Sequence, residues 1–244
     1  MVIRNPYVIL GLVLIAIFVL FIVSKMPQSK DEGGMPSIGE TFATLSKNTK
    51  YVLGVVAQIL YVGGQIMCWT YIYQYAEAIG MDSVTAGYYQ MAAFVLFTVG
   101  RAFGTYLLRF LSSGKLLMSF ALLAGLCVLG TIFIQGIAGL YCLVAISFFM
   151  SLMFPTIYGI ALGDLTEDQS KVGSAGLIMA IVGGALMPKL QGMIIDAGGN
   201  GVADTTIMGV AEVNFSFILP LLCFIYIAWY GLMVYKKYES KVEV

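Results

Sequence analysis

Histidine is absent from this 244-residue sequence. Its absence excludes a histidine-containing catalytic triad, a histidine-ligated metal or haem, and an imidazole proton relay. The four cysteines lie singly in apolar segments without C-x-x-C spacing, which favours small buried side chains over disulfides or metal ligands. No phosphate-binding glycine loop or nucleophile–base pair is recognisable. The sequence therefore predicts a protein that is not an enzyme and that holds no cofactor.

Charged residues are also scarce. They make up 11% of the sequence, whereas 60% of the residues are hydrophobic and the mean hydropathy is +0.92. An average soluble domain has about 25% charged residues. The formal net charge is zero, so no basic excess points to nucleic acid. This composition predicts an integral membrane protein that has the lipid bilayer as its partner.

Seven apolar segments are predicted to cross the membrane as helices, since about 20 apolar residues span a hydrocarbon core of roughly 30 Å. They are residues 7–23, 51–75, 84–108, 116–135, 140–163, 172–195 and 215–235. The first resembles a signal peptide, but no small-x-small cleavage site follows it, so we expect a retained span. The alternating polarity of outer-membrane strands is missing. The predicted fold class is an all-α polytopic membrane protein with seven transmembrane helices.

The predicted order of segments suggests two bundles. Residues 1–24 form one span, residues 25–50 a polar linker in which 38–48 are predicted to form a short surface helix, and residues 51–244 six spans with short loops. This arrangement is expected for the last helix of one six-helix bundle followed by a complete second bundle. Many transporters pair two such bundles around a site at the middle of the membrane.

Positive charges fall in alternate loops, which predicts the orientation in the membrane. They lie in the linker, after the third and fifth spans and in the carboxy-terminal tail: Lys25, Lys30, Lys47, Lys50, Arg109, Lys115, Lys171, Lys236, Lys237 and Lys241. The intervening loops contain neither Lys nor Arg. The linker and the carboxyl terminus are therefore predicted to be cytoplasmic.

The second span has a polar side. Gln58, Tyr61, Gln65, Trp69 and Tyr73 recur at steps of three or four residues, which places them on one face of a helix. Such groups need partners or a wet cavity within a membrane. One interpretation is a cavity wall that hydrogen-bonds and stacks on a polar, ring-shaped solute. The alternative is a contact between helices in which these side chains pack.

Three further residues stand out in apolar segments. Gln90 is the only amide in the third span, and Tyr158 lies about one turn after Pro155, where a kink would free backbone carbonyls. Both are candidates for the same cavity, with core packing as the alternative. Arg101 lies about 12 Å along the helix from Arg109 and needs a partner or a route to water. The expected partner is the acidic group that contains Asp164, Glu167 and Asp168; snorkelling is the alternative.

Several of these residues lie in motifs that resemble those of a known family. The motifs are ILYVGGQIMCWTY at 59–71, GRAFGT at 100–105, MSLMFPTIY at 150–158, IVGG at 181–184 and DAGGN at 196–200. Together they resemble fucose permeases, which are sugar–proton symporters of the major facilitator superfamily. Residues 59–71 are similar to the seventh helix of that family.

The resemblance implies helices six to twelve of a twelve-helix carrier, and hence its carboxy-terminal half. It implies proton-coupled uptake of fucose or a similar monosaccharide by alternating access, in the bacterial inner membrane, with the proton as coupling ion. Gln65 and Trp69 match the family pattern, and with Tyr61, Tyr73, Gln90 and Tyr158 they are the predicted sugar-binding residues. Arg101 lies in an element that resembles a cytoplasmic gate latch, with Asp164 as its predicted counterpart.

The resemblance also implies a missing partner. The amino-terminal six-helix half, which carries the proton-binding carboxylates in this family, has no counterpart in these residues. An inert truncated carrier fragment is therefore one alternative. A seven-helix receptor or retinal protein is another, but residues 215–235 contain no lysine for a Schiff base.

Overall fold

The computed structural model describes residues 4–24, 38–199 and 201–239. Residues 25–37 of the predicted linker and Asn200 of the DAGGN motif lie outside the described residues. The chain divides into two compact units, residues 1–35 and 36–244. The predicted domain limits at residues 24 and 50 stay predictions.

The first unit contains helix α1 (Arg4–Val23). Its large apolar side chains between Val8 and Leu20 are exposed around the helix. A helix without a polar face is stable only where lipid or protein covers it. Its described apolar run, Val8–Leu20, is shorter than the candidate spans of the second unit, so the predicted span at residues 7–23 stays a prediction.

The second unit is a bundle of helices. Their bounds are α2 (Ile38–Leu45), α3 (Thr49–Thr70), α4 (Ile72–Ala78), α5 (Ser83–Leu107), α6 (Ser113–Phe133), α7 (Ile137–Met150), α8 (Met153–Leu162), α9 (Glu167–Met179), α10 (Gly183–Ile195), α11 (Glu212–Ser216) and α12 (Ile218–Val234). Helix α2 corresponds to the predicted surface helix but ends three residues earlier than expected. The helical class is confirmed.

Among the residues that the structure describes, five helical stretches are long and apolar enough to cross a membrane. They are Thr49–Ala78, Ser113–Phe133, Ile137–Leu162, Glu167–Gly198 and Glu212–Tyr238. Helix α5, the third predicted span, has 25 residues but is less apolar, because it carries Arg101, several hydroxyl side chains and the amide of Gln90. Five of the seven predicted spans are thus confirmed by length and composition.

Four predicted spans are interrupted rather than continuous. The interruptions lie at Tyr71, at residues 151–152, at the 3₁₀ turn Ala180–Val182 and at Phe217. Pro155 and Pro220 each lie in the first turn of the helix that follows an interruption. Proline is tolerated there because the N–H groups of a first turn have no intrahelical acceptor. Apolar length alone does not reveal these breaks.

Helices α3, α7, α6 and α12 form the centre of the bundle, with α5 against α7 and α10 against α3. In the most apolar part of the Glu167–Gly198 stretch only 22% of the residues are buried, compared with 50–56% in the other four stretches. This stretch therefore packs on one side only. Exposed apolar side chains on α5, α9 and α10, such as Phe103, Ile178 and Leu186, leave a surface for lipid or another part of the protein to cover.

The loop after α10 departs from a purely helical chain. Strands β1 (Thr206–Ile207) and β2 (Val210–Ala211) pair there as a short antiparallel hairpin. The Glu212 side chain is fully buried behind it and accepts hydrogen bonds from the Asp204 N–H at 2.9 Å and the Thr205 hydroxyl at 2.7 Å. A buried carboxylate needs such donors, and they hold the loop against the end of the bundle.

Asp82 caps the amino terminus of α5. Its carboxylate accepts hydrogen bonds from the Thr85 hydroxyl at 2.6 Å and from the N–H groups of Thr85 and Val84. These bonds hold the pKa of Asp82 below its usual value. Since the folded-state pKa is the lower one, the cap stabilises the helix above the unfolded pKa of about 4, and this stabilisation is lost as the pH falls through the folded pKa.

We therefore expect the amides of Val84 and Thr85 to lose protection from hydrogen exchange, beyond the intrinsic pH dependence, as the pH is lowered below about 4. Asp82→Asn is the control, because the single amide oxygen of asparagine can accept the two N–H bonds without titrating. An identical pH response of both proteins would contradict the prediction.

Candidate functional site

Three of the predicted site residues meet at the turn between α7 and α8. The Trp69 indole N–H donates to the Ser147 hydroxyl at 3.2 Å. The Tyr61 hydroxyl donates to the carbonyl of Met150 at 3.0 Å, and the Arg101 Nε–H donates to the carbonyl of Ser151 at 3.3 Å. Side chains from α3 and α5 thus converge on residues 147–151.

The sequence of the turn explains why it needs these donors. In an uninterrupted helix the carbonyl of Ser151 would accept from the N–H of residue 155, which is proline and has none. Both Met150 and Ser151 are fully buried, so water cannot replace the missing donors at no cost. The break therefore depends on donors from neighbouring helices.

Aromatic side chains connect the predicted residues. Trp69 meets Phe94 and Phe97 edge-on at ring-centroid distances of 4.9 and 5.1 Å. The Arg101 guanidinium lies over Phe97 at 5.4 Å. On the other side of the break Phe154 stacks on Tyr158 at 6.4 Å with an interplanar angle of 12°. The sequence analysis missed Phe97, Phe154 and Ser147, which only the packing brings together; Pro155 was the single local signal.

The polar side of α3 is not one open face. Gln58 and Tyr61 are fully buried inside the bundle, whereas Gln65 and Trp69 are partly exposed and Tyr73 is 42% exposed. Tyr61 does not line an open surface in this structure, because its hydroxyl donates to the buried carbonyl of Met150; its sugar-binding role stays a prediction. Burial along this face decreases from the centre of α3 towards α4.

Gln65 is the best placed of the candidates to meet a solute. It lies near the middle of the Thr49–Ala78 stretch, is partly exposed, and its amide makes no hydrogen bond to any residue that the structure describes. Trp69, one turn further on, has its N–H engaged by Ser147. In this structure that contact occupies the indole N–H and leaves the ring of Trp69 available for stacking; the sugar-binding role of Trp69 stays a prediction.

The other candidates lie on α4, α5 and α8. Tyr73 approaches Gly87 on α5, one turn before Gln90. The Gln90 Oε1 atom is buried and has no partner among the described residues. Tyr158 is partly exposed, packs on Phe154 and lies against the buried cluster that contains Tyr51. The sugar-binding roles of Tyr73, Gln90 and Tyr158 stay predictions.

Arg101 and Asp164 are not paired in this structure. Asp164 Oδ2 lies 2.8 Å from Lys50 Nζ, which belongs to a side chain that is only 11% exposed. Glu167 and Asp168 lie within 4 Å of Lys171. Asp164, the predicted partner of Arg101, therefore pairs with Lys50 at the start of α3. Arg101 instead donates a hydrogen bond to the Ser151 carbonyl. A gating role for Arg101 in a complete carrier stays a prediction.

A cavity of about 510 Å³ lies beside the break, on the Arg109 side of Arg101. Its lining includes Thr105 of α5, Ser113 of α6, and Phe154, Thr156 and Gly159 of α8. Of the predicted site residues, Arg101 alone lines it. Among the described residues no group of three or more acidic or cysteine side chains is placed to hold a metal ion.

Residues 2–188 match the Major Facilitator Superfamily. The chain belongs to this superfamily. It is 50% identical over 235 residues to the L-fucose-proton symporter of Haemophilus influenzae, covering 96% of this chain and 53% of that protein. It is 29% identical to the glucose/galactose transporter of Brucella abortus, with 95% and 53% covered.

A solved structure agrees with the family assignment. The crystal structure of the Escherichia coli fucose:proton symporter superposes with a TM-score of 0.81 at 29% identity, covering 94% of this chain and 54% of that one. The chain thus spans about half the length of the relatives it matches. This major facilitator chain resembles fucose symporters, as its motifs predicted, and it resembles transporters rather than enzymes.

Proposed function

We propose that this chain forms the carboxy-terminal half of a proton-coupled monosaccharide carrier, with L-fucose or a similar sugar as substrate. The observation that carries the proposal is the partly exposed Gln65 amide, which lacks a protein partner in the middle of an apolar helix. Such a group is costly in a membrane unless a solute or water meets it. The similarity to a fucose symporter at 50% identity supports this sugar over glucose or galactose.

The site would bind a sugar through two kinds of contact. The Gln65 amide has both donors and an acceptor for hydroxyl groups, and the Trp69 ring lies against Phe94 and Phe97, which fix its orientation. An aromatic face packs on the apolar side of a sugar ring. Tyr73, Gln90 and Tyr158 would border the bound sugar. A second six-helix half would supply the opposite wall and the proton-binding carboxylates, and rocking of the halves would alternate access.

The proposed setting is the bacterial inner membrane, with the carboxyl terminus in the cytoplasm. The alternation of Lys and Arg between loops supports this orientation.

The proposal is tested by Gln65→Ala in a carrier that joins this chain to the portion of the Haemophilus influenzae symporter that it does not cover. We expect L-fucose to bind more weakly by about 1–2 kcal/mol, as for one lost neutral hydrogen bond that leaves a partner unpaired. Isothermal titration or a substrate-protection assay would measure the affinity. Gln135→Ala, which truncates an exposed glutamine in a loop, is the matched control. Equal affinities of the two variants would assign Gln65 to packing.

A further inference from the structure

We infer that Arg101 and Tyr61 are positioning residues that supply the hydrogen-bond donors missing at the α7–α8 break. They act on consecutive carbonyls, Met150 and Ser151, and reach them from two different helices. The inference deepens the proposed function and rests on it for its role in transport, but the hydrogen bonds themselves can be tested without any sugar.

The arginine contact has a specific chemical cause. Pro155 removes the donor that would serve the Ser151 carbonyl, and the pyrrolidine ring crowds the same carbonyl. Ser151 is fully buried, and the Arg101 Nε–H lies 3.3 Å from its oxygen. A donor that carries a positive charge binds a carbonyl more strongly than a neutral one. Arg101 therefore compensates for Pro155, although the two residues are 54 positions apart.

The tyrosine contact stabilises the adjacent carbonyl. Tyr61 is fully buried, and a buried phenol hydroxyl requires an acceptor. The Met150 carbonyl provides it at 3.0 Å. The Tyr61 ring also packs edge-on against Phe154 at 6.1 Å, so the same side chain contacts both ends of the break.

These donors determine where α8 points. Its first turns carry Phe154, stacked on Tyr158, and the Thr156 and Gly159 positions that line the cavity of about 510 Å³. A change in the direction of α8 would move all four together. Arg101 and Tyr61 thus position α8 and, with it, one wall of this cavity.

The cation–π contact between Arg101 and Phe97 is an alternative explanation for the effect of Arg101 on the α7–α8 break. A double-mutant cycle separates the two. Pro155→Ala restores an N–H that can serve the Ser151 carbonyl, which makes the Arg101 donor redundant, whereas it does not alter the Phe97 contact. The cycle compares Arg101→Gln in the native chain and in the Pro155→Ala chain, both in nanodiscs.

The readout is hydrogen exchange of the amides in residues 152–158, followed by mass spectrometry. We expect Arg101→Gln to accelerate their exchange about tenfold in the native chain, as for one lost hydrogen bond to a charged group, and less than twofold in the Pro155→Ala chain. Arg101→Lys, which retains a cationic donor, is expected to restore most of the protection, and Tyr61→Phe to reduce it independently of residue 155.

Arg109→Gln is the matched control, because Arg109 is exposed just beyond the end of the same helix, and it should leave these amides unchanged. An equal effect of Arg101→Gln in both chains would overturn the inference, and so would no effect in either. Because no sugar is present, this outcome is independent of the Gln65 test of the proposed function.

Discussion

A polypeptide of residues 1–244 alone is expected to insert into liposomes but not to accumulate L-fucose against its gradient when a proton gradient is imposed. In the proposed function, the Gln65 and Trp69 side chains form only one wall of the binding site. The chain also covers only about half of its relatives. Residues 51–75, the span that carries Gln65, contain no carboxylate that could carry a proton. The buried Glu212 is already bonded to Asp204 and Thr205 of its loop. Uptake of radiolabelled L-fucose into proteoliposomes measures this directly.

In a second experiment the chain is reconstituted together with the portion of the Haemophilus influenzae symporter that it does not cover. Uptake driven by the proton gradient is expected to appear only there, and to disappear when an ionophore collapses the gradient. Accumulation by residues 1–244 alone would contradict the proposal of a half-carrier. The absence of uptake in both arms, with the intact relative active, would favour the inert-fragment alternative.

Gly183→Ala is expected to destabilise the bundle by about 2–3 kcal/mol, as for overpacking against a rigid neighbour. A Cβ at Gly183 would overlap the carbonyl of Ile59 on α3, and a backbone group cannot move aside as a flexible side chain does. The contact joins α3 to the start of α10, which is otherwise packed on one side only. Thermal or denaturant unfolding of the chain in detergent would measure the loss.

Gly159→Ala is the matched control, since it lies within α8 and has no atom within 4 Å of the added Cβ. It should leave stability unchanged or raise it by up to about 1 kcal/mol through helix propensity. If both alanine variants had the same stability against unfolding, the close approach of α3 and α10 at Gly183 would not limit the stability of the bundle.

The helices were largely predictable, and their interruptions were not. Long apolar runs predict spans because hydrocarbon excludes unpaired backbone groups, and this property is local. The break at Tyr71 has no comparable local signal, since a tyrosine does not terminate a helix by itself. Pro155 did signal a kink, but the sequence could not say which side chains would serve the freed carbonyls.

The candidate site was likewise predictable in part and not predictable in part. Periodicity placed Gln58, Tyr61, Gln65 and Trp69 on one face, and that is a property of any α-helix. It could not decide which of them would be buried, because burial depends on where α8 and α12 pack. Charge complementarity suggested Asp164 for Arg101, but Lys50 lies nearer, at the start of α3.

The sequence by itself determined a helical membrane protein of the major facilitator superfamily. Composition, segment length and motifs are sufficient for that, because each depends on residues that are close in the chain. The tertiary structure decided that Tyr61 and Arg101 bind the Met150 and Ser151 carbonyls and that Gln65 keeps an unpaired amide. Hydrogen bonds between helices depend on distances of a few tenths of an ångström, and these are set only when the whole bundle has packed.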